Sequence, residues 1–454
     1  MHIDPDLLHQ AQVIQDIALE LGTDEVTVSI GSTVYTQMSQ REGLLEKCEQ
    51  SRSIGVHVSL LVDGKYSSHS TSDPSPRSMT PFLQRAIDAT KYLEEDPHRG
   101  HLPREQMGSA DISALDALDS YWSERTAEER KKDLQNLENS CVSYAQTHAK
   151  YPVRSVTAHV WDSYSKSVAL FSNGHCCGWG RTSFGHGAEL TLVENKNLED
   201  GSTQERLPEA YDFYSARHFE DLPTIEDIAQ NLLLRGHRRV GSSAIASEQL
   251  PMLLENRSVG RLLRAVLGPL AANNIYEKRS CMIDKKGTQI ASKNLSLYEN
   301  PLLPRGVGST PYSGDGMEKK QAPIIQDGVL CDYFIDVYNG RRLGMVPNAL
   351  GTSNVIIDPS EQSVASILQS LPKCIRVESF LGGNSNALTG DFSFGITGTL
   401  FEHGEAVQGV SEMNISGNIF ELLQKYQQAA NDVWTFGSYR TPSLLFDAIQ
   451  FSGI

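Results

Sequence analysis

The run Ile54-Gly55-Val56-His57-Val58-Ser59-Leu60-Leu61-Val62-Asp63-Gly64-Lys65 sets the architecture of the N-terminal half. Ile54, Val56, Val58 and Leu60 alternate with smaller or polar residues, the period of a strand with one buried face. Asp63-Gly64 then forms a hairpin turn, because Gly accepts the positive φ that such a turn requires, and Tyr66 onward is the predicted return strand. Upstream, Val26, Val28 and Ile30 repeat the alternation. Before them Ile14, Ile17, Ala18 and Leu21 recur at helical spacing, with Gly22 as the stop. Downstream, Thr80-Pro81 reads as the N-cap and first residue of a helix reaching about Leu93 and broken at Asp96-Pro97. Residues 96–112 read as a connector. Thr126 with Glu129 is a capping box opening a long helix through Leu134, Leu137, Cys141, Tyr144 and His148, with the charges from Glu128 to Asp133 on its solvated side. Val156 to Val160 and Val168 to Phe171 are strand-like, separated by Asp162-Ser163. Thr224 with Asp227 starts another amphipathic helix.

The boundary between two halves is expected near His237, giving domains 1–237 and 238–454. The second half offers one long helix candidate, Leu250 to Ala272. Short strands follow, with turns at Gln326-Asp327-Gly328, Asn339-Gly340, Gly382-Gly383-Asn384 and Glu402-His403-Gly404-Glu405.

Composition narrows the function. The chain has 454 residues, 39% of them apolar and 21% charged, which excludes a disordered chain. Lys plus Arg is 40 and Asp plus Glu is 56, for a net charge of −16, which disfavours nucleic acid as the main partner. No apolar run is long enough for a membrane span. The acidic start, Met1-His2-Ile3-Asp4-Pro5-Asp6, lacks the cationic and apolar regions of a signal peptide. Seven cysteines at scattered spacings fit reduced thiols, so a cytoplasmic location is expected. Of 13 histidines, all but His403 lie at or before His237.

Several collinear strings resemble the PmbA/TldD family. They are Arg41-Glu42-Gly43 with Glu46, Ser53-Ile54-Gly55-Val56, Val62-Asp63-Gly64-Lys65 and Leu93-Glu94-Glu95-Asp96-Pro97 in the first half. In the second half they are Ile325-Gln326-Asp327-Gly328-Val329-Leu330, Tyr338-Asn339-Gly340-Arg341-Arg342-Leu343-Gly344, Met413-Asn414-Ile415-Ser416-Gly417-Asn418 and Arg440-Thr441-Pro442-Ser443-Leu444. The resemblance implies an α+β fold of two domains: helices packed on a mixed sheet in the first, and a strand-rich second domain with one central helix. It further implies one of two subunit kinds. TldD-like subunits carry a His-Glu-x-x-x-His helix that binds zinc, with a cysteine ligand near the C-terminus. TldE-like (PmbA-like) subunits lack that helix motif and pair with TldD, as an intracellular metalloprotease acting on unfolded, modified or ribosomally made peptides.

A zinc hydrolase needs two histidines on one helix face, a third ligand and a carboxylate base. The family helix falls on Leu253-Leu254-Glu255-Asn256-Arg257-Ser258-Val259-Gly260-Arg261. Asn256 and Arg261 stand where the histidines would be and Arg257 where the glutamate would be. Arg neither ligates zinc nor acts as a base at neutral pH. No cysteine follows Cys374. The resemblance therefore implies a TldE-like chain with no catalytic residue or metal of its own, the zinc residing in a TldD-like partner. Arg257 and Arg261, four apart, either grip a carboxylate of substrate or partner, or close an intrachain salt bridge with Glu255 or a strand carboxylate. Gly382-Gly383-Asn384 and Ser416-Gly417-Asn418 are candidates to line a path for an extended peptide.

Two other readings stay open: a homodimeric peptide-binding or regulatory protein, and a peptide-maturation enzyme using other residues, for which His175-Cys176-Cys177 is the available cluster. Gly306-Val307-Gly308-Ser309 and Ser313-Gly314-Asp315-Gly316 are not followed by Gly-Lys-Ser/Thr, so they read as turns beside a peptide channel rather than phosphate loops.

Overall fold

The computed structural model describes residues 4–197 and 202–453. The first half runs α1 (Pro5–Glu20), β1 (Glu25–Arg41), β2 (Leu44–Val62), β3 (Lys65–Thr71), α2 (Pro76–Thr90), α3 (Tyr121–Glu124), α4 (Ala127–His148), β4 (Val153–Phe171), β5 (Cys176–Leu192), β6 (Glu194–Asn197), β7 (Thr203–Arg206), β8 (Glu209–Ala216) and α5 (Ile225–Arg239). Its main sheet has the order β3-β2-β1-β4-β5-β8. Val26, Val28 and Ile30 of β1, with Val168 and Leu170 of β4, pack under α1 and α2. Met38, Val156, Ala158 and Val160 lie further along the same two strands, on the same alternation, and pack under α4 and α5. One face of a long sheet is thus covered by two helix pairs.

The α+β class and the division into a helix-covered sheet and a strand-rich half hold. One detail is corrected. Every pair in the main N-terminal sheet is antiparallel, because its strands are joined by hairpins or return after a helix on one face. Parallel pairs occur in the second half, between β14 and β9 and between β13 and β18.

That second half runs β9 (Glu248–Leu254), α6 (Asn256–Leu267), α7 (Ala272–Tyr276), β10 (Leu297–Glu299), β11 (Ala322–Gln326), β12 (Val329–Leu330), α8 (Val337–Leu343), β13 (Val355–Ile356), α9 (Val364–Ser370), β14 (Lys373–Ser385), β15 (Asp391–Glu402), β16 (Glu405–Asn418), α10 (Ile419–Gln424), β17 (Tyr426–Ala429), β18 (Tyr439–Arg440) and β19 (Leu444–Ser452). A sheet of order β16-β15-β14-β9-β19-β17 closes on itself where β16 also pairs with β19. A smaller sheet has the order β12-β11-β10-β13-β18. Met252 and Leu254 of β9, with Val259, Leu262, Leu263 and Val266 of α6, join the largest core.

The hairpin turn at Asp63-Gly64 is present with φ of 49° and 72°, and Asp327-Gly328 and His403-Gly404 turn in the same way. The Thr126/Glu129 capping box is formed, and Thr224 caps α5.

Other boundaries move. The helix expected over Leu250 to Ala272 starts at Asn256, because Leu250-Pro251-Met252-Leu253-Leu254 is a buried central strand between β14 and β19. A short apolar run buried on both faces has no alternation to betray it. The helix expected at Thr80 opens instead at Pro76, behind Ser75, and contains Pro81. Asn339-Gly340 is no turn but lies in α8, capped by Asp336. Gly382-Gly383 is a bulge within β14. The two strand pieces flanking Asp162 are one strand, β4. Asp162 is buried mid-strand and accepts from Arg125 Nη1 (3.0 Å), Arg130 Nε (2.6 Å) and Trp122 Nε1 (2.9 Å). Arg130 is therefore buried, not on the solvated side of α4.

The halves share surface. Phe171 and Cys177 cluster with Tyr312 and Val337, and Arg341 donates to the carbonyls of His98, Gly100 and His101.

Candidate functional site

The start of α6 is fixed by Asn256, whose backbone N–H donates to Ser443 Oγ at 3.1 Å and whose Nδ2 donates to the Asp432 carbonyl at 2.6 Å. Ser443 Oγ donates in turn to Asp432 Oδ2 at 2.7 Å. The helix thus begins against the chain that follows Arg440-Thr441-Pro442. Asn256 spends its side chain on this knot.

Arg257 points to the first half of the chain. It pairs with Asp212 of β8, its Nη2 donates to Tyr214 Oη at 2.7 Å, and its guanidinium lies 4.2 Å from the Trp434 ring centroid. Burial alone would lower its pKa, but Asp212 reverses the direction and raises it. Burial pushes Tyr214 up to about 12. Asp212 is 0% exposed, so a neutralising partner is a structural necessity. The intrachain salt bridge to a strand carboxylate is therefore formed.

Arg261 behaves differently. It is exposed, and its Nη2 donates to the carbonyls of Gly382 (3.3 Å) and Gly383 (3.2 Å). Helical spacing places the two arginines on one face, yet they serve opposite neighbours.

Around Arg257 the fold gathers Arg235, Arg238 and Arg239 from the last turns of α5 and Arg376 from β14, five guanidiniums against the carboxylates of Asp212, Glu255 and Glu378. Glu255 Oε1 accepts from Arg235 Nη2 at 2.6 Å and Arg376 Nη2 at 3.2 Å. Arg238 Nη1 reaches Glu378 Oε1 at 3.2 Å. A cavity of about 250 Å³ opens here, lined by Arg235, Arg239, Arg257, Ser258, Ser379 and Trp434 among others.

These residues do not fit zinc. Amide and guanidinium groups stand at the helix positions a metal would need, and the nearby carboxylates are already bound by arginines. Among the described residues no three His, Cys, Asp or Glu side chains converge as a metal group.

The two candidate peptide-path strings come together at one end of the closed sheet. Asn384 and Ser416 both pair with Ser393 of β15, from its two sides. Gly382, Gly383, Asn384, Ser416 and Gly417 are exposed, while Asn418 is half-buried and caps α10. Beside these strands lies a groove of about 530 Å³, lined by Leu207, Arg239, Leu381, Thr397, Ser411 and Asn414 among others.

The remaining candidates disperse. His175 is buried, and burial pushes the Cys177 thiol up to about 12 and raises that of Cys176, the reverse of an activated nucleophile. Gly306 and Val307 offer their carbonyls to Arg217, and Gly308 N–H donates to Asn354 Oδ1 at 2.9 Å, so the polar groups of that loop are taken up by neighbouring segments. Gly314 and Asp315 line a separate cavity of about 420 Å³ with Glu25, His57, Arg99 and His101.

Sequence reasoning missed Asp212, Tyr214, Glu378 and Trp434, which lie far from Arg257 along the chain. The basic run His237-Arg238-Arg239 was a usable signal for the cluster, since cations favour a helix C-terminus.

Comparisons with known proteins agree with one another in what this chain resembles. Residues 247–453 match the PmbA/TldA metallopeptidase C-terminal domain. Metalloprotease PmbA of Escherichia coli O157:H7 is 24% identical over 445 residues, covering 96% of this chain and 94% of that one. The PmbA homolog of Haemophilus influenzae is 22% identical with the same coverage. A Bacteroides thetaiotaomicron structure named as a modulator of DNA gyrase matches at TM-score 0.90 and 28% identity over 100% of both chains. The structure of TldE from Thermococcus kodakarensis matches at TM-score 0.82 and 16% identity, over 98% of this chain and 100% of that one, a likeness of fold.

Proposed function

We infer, from the premise that this chain is a PmbA/TldE-like protein, that it serves as the metal-free subunit of a peptidase whose zinc sits in a TldD-like partner. The observation that carries this reading is the start of α6. Asn256 is committed to Asp432, Arg257 to Asp212, and Arg261 to the carbonyls of β14. A position that would hold zinc in a TldD-like chain is here a salt-bridged joint between the halves. In this reading the two regions 1–237 and 238–454 act as domains of a cytoplasmic subunit that completes the partner's chamber. The ends of β14 and β16 line the route of an extended peptide, which main-chain bonds hold without regard to sequence. No described helix is long and apolar enough to cross a membrane.

The test is co-expression with a TldD-like protein carrying His-Glu-x-x-x-His. Stable co-purification, with chelator-sensitive peptidase activity in the complex and none in this chain alone, is expected. A chain that stays a homodimer in the presence of that protein would favour a stand-alone peptide-binding role instead.

A further inference from the structure

Arg239 is the guanidinium of the cluster that has no anion. Arg235, Arg238, Arg257 and Arg376 each reach a carboxylate, whereas none lies within 4.0 Å of Arg239 among the described residues. Its hydrogen bond there is from Nη2 to Ser379 Oγ, at 3.1 Å. Burial lowers its pKa, and Glu378 and Glu255 act on it only as more distant charges. Arg239 is half-buried, and a partly desolvated cation with no contacting counter-ion favours a ligand that supplies one.

The place of Arg239 says what that could be. It lines both the cavity at the start of α6 and the groove along β14, β15 and β16. In that groove the sheet ladder is broken beside Leu381 (Leu381/Asn384) and at Ile396/Gly398, and Glu412 adopts a positive φ of 57°. Bulges leave main-chain groups outside the ladder. Ser411, also in the groove, has a buried hydroxyl with no partner among the described residues. Leu207 and Leu381 add exposed apolar surface, and Arg206, Glu209 and Glu412 also line the groove without an ion pair to Arg239 among the described residues. The result is a groove with bulged main chain, one unpartnered hydroxyl and a guanidinium that contacts no carboxylate.

We propose that Arg239 receives the carboxylate of an extended peptide lying in this groove. The inference rests on the peptide-presenting role above and adds to it a substrate preference. A guanidinium binds a carboxylate through paired N–H donors, and such charge-assisted bonds are stronger than neutral ones. The carboxylate is either the peptide's C-terminus or an acidic side chain.

Fluorescence anisotropy with the purified full chain distinguishes these. Three labelled octapeptides are compared: a neutral sequence with a free C-terminus, its C-terminal amide, and that amide with one internal Glu. At least one carboxylate-bearing peptide is expected to bind about tenfold or more tighter than the neutral amide, and the better of the two identifies the carboxylate. Arg239→Gln should remove the preference, Arg239→Lys should keep part of it, and Arg206→Gln, in the same groove, should leave it intact. Equal affinity for all three peptides, no binding of any, a preference that survives Arg239→Gln, or equal loss in Arg206→Gln would overturn the assignment. Co-purification with a TldD-like protein is scored separately, so the subunit role and the carboxylate site fail independently.

Discussion

Replacing Arg257 with Met tests whether this residue is a structural ion pair or a free ligand contact. Its partner Asp212 is fully buried on β8. Without Arg257, Asp212 would keep the Tyr214 hydroxyl at 2.6 Å and Arg235 Nε at 3.6 Å. Stripping one member from a buried pair costs about 3–5 kcal/mol, and the surviving partners place this case near about 3 kcal/mol. That is a large share of a total stability of about 5–15 kcal/mol. Asp212→Asn should cost less, because Arg257 keeps its stacking on Trp434 and its edge toward the cavity. The double variant should then be more stable than the sum of the two losses predicts, by about 2 kcal/mol of coupling. Guanidinium denaturation of the four proteins, followed by near-ultraviolet circular dichroism, measures this. A loss below about 1 kcal/mol in Arg257→Met, or strict additivity in the double variant, would refute the structural role and return Arg257 to a substrate or partner.

Three further outcomes are expected. Burial holds the His186 imidazole down from 6.5 to about 4, so its neutral form belongs to the folded state. The stability it contributes is complete above pH 6.5 and is lost as the pH falls toward 4, by about 3 kcal/mol in all; denaturation midpoints across that range should flatten in His186→Gln. Leu254→Ala, in the buried strand before α6, should cost about 2–5 kcal/mol, whereas Leu388→Ala at an exposed position should change stability by less than about 0.5 kcal/mol in the same assay. Burial pushes the thiols of Cys141, Cys177 and Cys374 up to about 12, so a disulfide reagent at pH 8 should modify exposed Cys48 quickly and those three only on unfolding.

The legible parts of the sequence were those governed by local rules. Asp63-Gly64 forms its hairpin because only a turn satisfies that pair between two alternating runs. The Thr126 box forms because both hydrogen bonds are available within four residues. What misled was long-range. Leu250 to Leu254 look helical when joined to the true helix after them, and only the neighbouring strands β14 and β19 make them a strand. Asp162 looks like a break between strands until Arg125 and Arg130 arrive from another element. The site shows the same division. The chemistry that α6 lacks could be read from Asn256, Arg257 and Arg261, but Asp212 lies on a strand whose pairing no local pattern announces.

The proposed role has this chain hold no catalytic zinc and act through a TldD-like partner. Metal analysis of the purified chain, alone and in complex with that partner, tests it most directly when paired with a peptidase assay on the same samples. Negligible zinc and no activity are expected in the chain alone, with stoichiometric zinc and chelator-sensitive activity in the complex. Stoichiometric zinc in the isolated chain, together with chelator-sensitive hydrolysis of peptides, would contradict it.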